Sequence, residues 1–268
     1  MLPLFAMPQT PLQTLPTAVA ILQTTDDSSQ VICSGVPIDS KIILTAAHCL
    51  AAQSAKFIQT RSFSIMSRGH KHPSKTFRVS RWLIHPQYKT LPQANREDFD
   101  VAILETENAL QEAPGSDRPE PSFRINIDPS IGRLWILGFS PGRLKMTEPE
   151  KLLESQKAWS PVNVRSNLIR EGKFEATASS PGTPAACPGD SGAPVWDFQS
   201  PHRRLLGIVV QANCEKGLVK FVDLARYAHW VKQMVHELNE ASSNPKVASN
   251  NDLDHQYSKL HNNPWGHE

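Results

Sequence analysis

The chain has 268 residues, 39% of them hydrophobic, enough for one large β domain or two small ones. Its 28 basic and 26 acidic residues are mixed along the sequence and leave a formal charge of +2, so charge gives no reason to expect nucleic acid or a membrane surface as a partner. No apolar run approaches the roughly 18 residues that span a bilayer, and the expectation is a soluble chain with no membrane partner.

In chain order, residues 1–16 carry four prolines and no charge. They lack a basic leader followed by a long apolar stretch, so no signal peptide is read from them, and they are taken as an N-terminal extension. Short β segments follow: Thr17 to Thr24, Val31 to Ile38, Ile42 to Thr45, Phe57 to Met66, Phe77 to Ile84 and Val101 to Glu105. Each is rich in Val, Ile, Phe and Thr, and polar clusters such as Asp26-Asp27-Ser28-Ser29 punctuate them. Residues 17–110 thus read as a first six-stranded barrel. Arg68 to Pro73 is a basic turn, and His70 and His72 within it are read as solvated rather than metal-binding. Residues 111–124, with three prolines, read as a linker.

A second β set fills residues 125–223, with strands at Arg133 to Phe139, Leu152 to Val162, Asn167 to Ile169, Phe174 to Thr177, Ala193 to Asp197, Leu205 to Gln211 and Val219 to Val222. Past Asp223 the apolar period lengthens. Leu224, Ala228, Val231, Val235 and Leu238 recur on one face, predicting an amphipathic helix over 224–241. His229 and His236 on it are read as surface or packing residues. Residues 242–268 are polar and aperiodic and read as a disordered tail.

The chemistry-bearing stretch is Cys187-Pro188-Gly189-Asp190-Ser191-Gly192-Ala193-Pro194. A lone serine is a weak nucleophile. It needs a base for its proton and backbone N–H groups for the oxyanion that forms on a carbonyl. Glycine lets the backbone turn sharply enough to aim the Gly189 and Ser191 amides at one point. The base is sought in Leu44-Thr45-Ala46-Ala47-His48-Cys49, and a carboxylate to orient it in Asp98-Phe99-Asp100-Val101-Ala102-Ile103-Leu104. Asp98 and Asp100 compete, since residues two apart project alike from an extended segment. The apolar run after Asp100 selects it, because the acid next to that run is drawn into the interior while Glu97 and Asp98 stay wet. Each block alone fits a bland reading: a core histidine, a strand-edge charge, a turn serine. The four cysteines allow more than one pairing, and a Cys/His zinc site lacks the paired Cys-x-x-Cys it would need.

Together, in the order His, Asp, Ser, these blocks resemble the TAAHC, DxAxL and GDSGGP segments of the chymotrypsin-like serine endopeptidases, departing at Ala193, where that family usually has glycine. The likeness runs from about Val19 to Val235. It implies an all-β fold, two six-stranded antiparallel β-barrels with a C-terminal α-helix, and a triad of His48, Asp100 and Ser191 with the Gly189 and Ser191 amides as the oxyanion hole. It implies disulfides Cys33–Cys49 and Cys187–Cys214, no cofactor or metal, a protein or peptide substrate, and a secreted or periplasmic location; it leaves the oligomeric state open. It frames the primary pocket with Ala185, Ala212 and Val219. None is charged, so cleavage after Lys or Arg is disfavoured and small or medium apolar residues are expected on the acyl side. No Ile-Val-Gly-Gly stretch lies upstream of Val19, which points to a chain active as folded, as in many bacterial members, rather than one whose new amino terminus pairs with Asp190. The alternative from another class is a catalytically inactive binding protein on the same fold.

Overall fold

The computed structural model describes residues 18–24, 29–51, 62–67, 75–92, 97–110, 134–139, 158–164, 173–178, 185–197 and 204–243. The expected linker, the strand at Asn167 to Ile169, His70, His72, the extension 1–16 and nearly all of the tail lie outside them.

Six strands, β1 (Val19–Thr24), β2 (Ser29–Pro37), β3 (Ile42–Thr45), β4 (Ser62–Ser67), β5 (Lys75–Ile84) and β6 (Ala102–Thr106), form a closed antiparallel barrel in the order β1-β2-β3-β6-β5-β4. Six more, β7 (Leu134–Gly138), β8 (Ala158–Val164), β9 (Lys173–Ala178), β10 (Pro194–Asp197), β11 (Arg204–Asn213) and β12 (Leu218–Asp223), close a second barrel in the order β10-β11-β12-β9-β8-β7. Closure gives every described strand two hydrogen-bonded neighbours and leaves no edge among them to template association.

The period of two along β1 explains how the barrels meet. Val19 and Ile21 point into the first barrel, while Ala18, Ala20 and Leu22 join Leu137 and Phe139 in a buried cluster between the barrels. The strands β3 and β6 are buried at every position, because one face fills the barrel and the other is covered from outside. Part of that cover is helical: Trp230, Val231, Met234 and Leu238 of the helix Ala228–Ser243 belong to the same apolar cluster as Ile43 and Leu104. The helix that follows the second barrel therefore packs against the first. Arg81 on β5 reinforces this, pairing with Glu105 at 2.5 Å and reaching the Leu238 carbonyl at 3.5 Å.

Three α-helices, α1 (His48–Ala51), α2 (Pro86–Thr90) and α3 (Ala228–Ser243), join the described strands, and a 3₁₀ turn over Glu97–Phe99 replaces the extended segment expected before Asp100. The helix expected from Leu224 opens instead with a 3₁₀ turn over Leu224–Tyr227, because the Asp223 carboxylate accepts the Ala225 N–H at 2.9 Å and tightens the entry.

Candidate active site

Strand β3 ends at Thr45, and the small, fully buried Ala46 and Ala47 let α1 begin at once with His48. The imidazole is held from one side. Its Nδ1 lies 2.6 Å from Oδ2 of Asp100, and the His48 backbone N–H donates to Oδ1 of the same carboxylate at 2.7 Å. An ionised carboxylate only accepts, so the proton of a neutral ring sits on Nδ1 and leaves Nε2 with a lone pair. The Asp100 side chain is 4% exposed and that of His48 37%, so the ring has a dry side and an open one.

Asp98, expected to stay wet, is half-buried. Its carboxylate pairs with Lys173 of β9 at 2.6 Å, and its carbonyl accepts the Tyr227 hydroxyl, so both barrels and the helix entry grip the segment before Asp100. Burial, aided by the carboxylates of Asp98, Asp100 and Asp223 and opposed by Arg226, pushes the Tyr227 hydroxyl above its ordinary range and keeps it a donor. His85 stacks on Phe99 at 5.2 Å and meets Trp230 at 4.9 Å, which makes it a packing residue.

The serine loop is folded by its own sequence. Pro188 and Gly189 occupy the middle of a turn that closes with the Asp190 N–H donating to the Cys187 carbonyl at 2.9 Å. Gly189 has φ +101°; proline before a positive-φ glycine is the type II signature, so Pro188 supports the direction of the Gly189 amide. Asp190 is buried, and its Oδ2 accepts the Cys187 N–H at 2.8 Å. It lies against Gly138, where a Cβ would run into the carboxylate.

Ser191 is brought to the His48 segment through the main chain. Its carbonyl accepts the Ser34 N–H at 2.7 Å and lies 4.0 Å from Sγ of Cys49. Gly192, at φ +81°, presses so closely on Thr45 and Ala46 that a Cβ would collide with the Thr45 hydroxyl and the Ser34 carbonyl. The Ser191 hydroxyl makes no hydrogen bond to His48 among the described residues. Disulfides Cys33–Cys49 and Cys187–Cys214, with Cα separations of 6.2 and 4.6 Å, clamp the histidine and serine segments.

With this geometry established, comparison with known proteins gives its kinship. A profile of the trypsin family matches residues 9–231. The chain belongs to the trypsin family. It is similar to mouse kallikrein-8, 26% identical over 216 residues that cover 76% of this chain and 77% of the relative. Rat kallikrein-8 is 24% identical over 219 residues, covering 76% and 77% of the two chains. Human granzyme M is 27% identical over 176 residues, covering 61% and 63%.

In this trypsin-family chain the three residues expected to frame a pocket all belong to the second barrel or pack against its core. Ala212 and Val219 are cross-strand partners on β11 and β12, and Ala185 and Val219 are buried in the apolar cluster of the second barrel with Ala212 packed beside them. The sulfurs of Cys33 and Cys49 lie near the His48 ring, but they are bonded to each other and so are not thiolate ligands for a metal. No described helix is long and apolar enough to cross a membrane. Two polar residues around the site escaped sequence reasoning. Lys173 carried no local signal of its reach to Asp98, and Ser34 was hidden beside a conspicuous cysteine.

Proposed function

We propose that this chain is a serine endopeptidase in which His48, Asp100 and Ser191 act as one unit. The observation that carries the reading is the grip of one buried carboxylate on both the ring and the backbone of His48, on a segment against which the Ser191 loop is packed. His48 Nε2 takes the Ser191 proton as Oγ attacks the peptide carbonyl, and Asp100 stabilises the imidazolium that results. The Gly189 and Ser191 amides meet the oxyanion. His48 then protonates the leaving amine, and water repeats the cycle on the acyl-enzyme.

Ala185, Ala212 and Val219 set the preference for small or medium apolar residues on the acyl side. A neutral, alkyl-lined pocket offers nothing to offset the desolvation of a buried Lys or Arg. The substrates are proteins or peptides, and the two disulfides support a secreted or periplasmic site of action.

Mass-spectrometric profiling of a peptide library cleaved by the purified protein tests this. Cuts should follow Ala, Val or similarly sized residues and vanish in Ser191→Ala. A profile dominated by Arg or Lys would overturn the preference. A folded protein that cuts nothing would overturn the peptidase reading.

A further inference from the structure

Ser34 is fully buried on β2, in the first barrel, yet most of its polar bonds go to the second. Its N–H donates to the Ser191 carbonyl at 2.7 Å. Its hydroxyl donates to the Gly189 carbonyl at 2.9 Å and accepts the Phe139 N–H at 3.0 Å. Its own carbonyl accepts the Thr45 hydroxyl at 2.8 Å, on the segment that leads to His48. One residue thus holds the carbonyls of both residues whose amides are assigned to the oxyanion.

The Ser191–Gly192 plane is fixed by Ser34 N–H on one side and by the Gly192 N–H donating to the Val209 carbonyl at 2.7 Å on the other. The Asp190–Ser191 plane, which carries the Ser191 donor, is held by the Ala193 N–H on the Asp190 carbonyl at 2.9 Å. The Gly189–Asp190 plane is held at one end by the turn-closing bond to Cys187 and at the other by the Ser34 hydroxyl. That last plane shares the Cα of Gly189 with the plane carrying the Gly189 N–H. Glycine, with no Cβ to restrict its dihedrals, leaves the direction of its N–H to the hydrogen bonds that hold the neighbouring plane.

We propose that Ser34 is a positioning residue of the oxyanion site: its hydroxyl, set between the Phe139 amide and the Gly189 carbonyl, fixes the direction in which the Gly189 N–H points. The inference rests on the peptidase reading above and adds to it a residue in the opposite barrel that never touches substrate. Alanine at position 34 keeps the backbone bond to Ser191 but leaves the Gly189 carbonyl and the buried Phe139 amide facing a methyl group. The turn relaxes to satisfy them, and the donor swings. Glycine vacates enough space for a water to bridge the same two groups, so it should be the milder change.

The test compares wild type, Ser34→Ala and Ser34→Gly with peptide amide substrates, with concentrations set by active-site titration and with binding of a peptide aldehyde, whose adduct places an oxyanion in the same position. Losing a whole oxyanion donor costs on the order of a hundred- to a thousand-fold in turnover, so a misdirected one in Ser34→Ala should lower kcat by about tenfold or more. KM should stay within about twofold, aldehyde affinity should weaken with kcat, and Ser34→Gly should fall between the two. The pH profile of kcat should keep its wild-type midpoint, because His48 is untouched. A kcat per titrated site within about twofold of wild type in Ser34→Ala would overturn the inference alone. If that variant does not fold, the same threshold applied to Ser34→Gly decides. A folded wild type that turns over no substrate overturns the peptidase reading, and this inference with it.

Discussion

Replacing Asp100 by Asn exchanges one carboxylate oxygen for an NH2 group and isolates the part of the site that orients the base. Both carboxylate oxygens are in use, one accepting from the His48 ring at 2.6 Å and the other from its backbone N–H at 2.7 Å. An amide has only one acceptor. If its oxygen stays on the backbone N–H, its NH2 faces Nδ1; the ring must then accept there and carry its proton on Nε2, where it cannot take one from serine. If the amide flips, two N–H groups confront each other in a buried space. The first arrangement is the one without a clash, and it removes the functional tautomer while preserving shape. In Ser-His-Asp triads such a change lowers turnover by about 10⁴-fold, and we carry that magnitude over; it corresponds to about 5 kcal/mol in the barrier. The assay is amide hydrolysis by Asp100→Asn with a thermal melt as control. The melt should stay close to wild type, and kcat should collapse with KM little changed. Turnover within about tenfold of wild type would refute the claim that this carboxylate sets the tautomer.

Gly192→Ala adds a methyl at φ +81° against the Ser34 carbonyl and the Thr45 hydroxyl, and should cost about 3 kcal/mol, seen by calorimetry as a fall in Tm of roughly 6–12 °C; an unchanged Tm contradicts the packing described. Removing the Cys187–Cys214 bridge as a double serine variant releases a loop with a sequence separation of 27 and should lower stability by about 3.5 kcal/mol in the chain-entropy treatment, read from the urea midpoint. An unmoved midpoint would show the clamp to be energetically idle. Burial raises the carboxyl pKa of Asp223 in the folded chain, despite the bond from the Ala225 N–H that lowers it, so folding binds its proton more tightly than the unfolded chain does. Its contribution to stability is therefore full below the ordinary carboxylate range and lost as pH rises through the folded value. Asp223→Asn keeps the capping oxygen without the charge, so its stability relative to wild type should climb with pH from about 4 upward and then level off. A relative stability that falls over that range contradicts the assignment.

Much of the fold was legible because barrels of short strands write themselves into the chain as Val- and Ile-rich runs with polar breaks; Ile42–Thr45 has the expected limits, and most other described strands differ from theirs by a few residues. Asp100 was separable from Asp98 because an apolar run drags its neighbour inward, and it is Asp100 that is buried and bonded to His48. The cysteine pairing came from family likeness, since nothing in the spacing excluded the other pairings. Contacts between the barrels were not legible. The pairing of Asp98 with Lys173 and the reach of Ser34 to Gly189 join residues far apart in sequence, and a local pattern holds no information about which surfaces meet. The apolar face of α3 announced that the helix packs, but not that it crosses back to the first barrel. The 3₁₀ turn at Leu224–Tyr227 was masked because its residues fit the helical period equally well.

The central claim is that Ser191 is activated by His48, and the most direct test is mass-spectrometric mapping of the adduct formed with a fluorophosphonate. Rapid, stoichiometric modification of Ser191 is expected in the wild type, with none in Ser191→Ala and a large slowing in His48→Ala. A folded wild type that resists the reagent, or is modified at the same rate without His48, would contradict it.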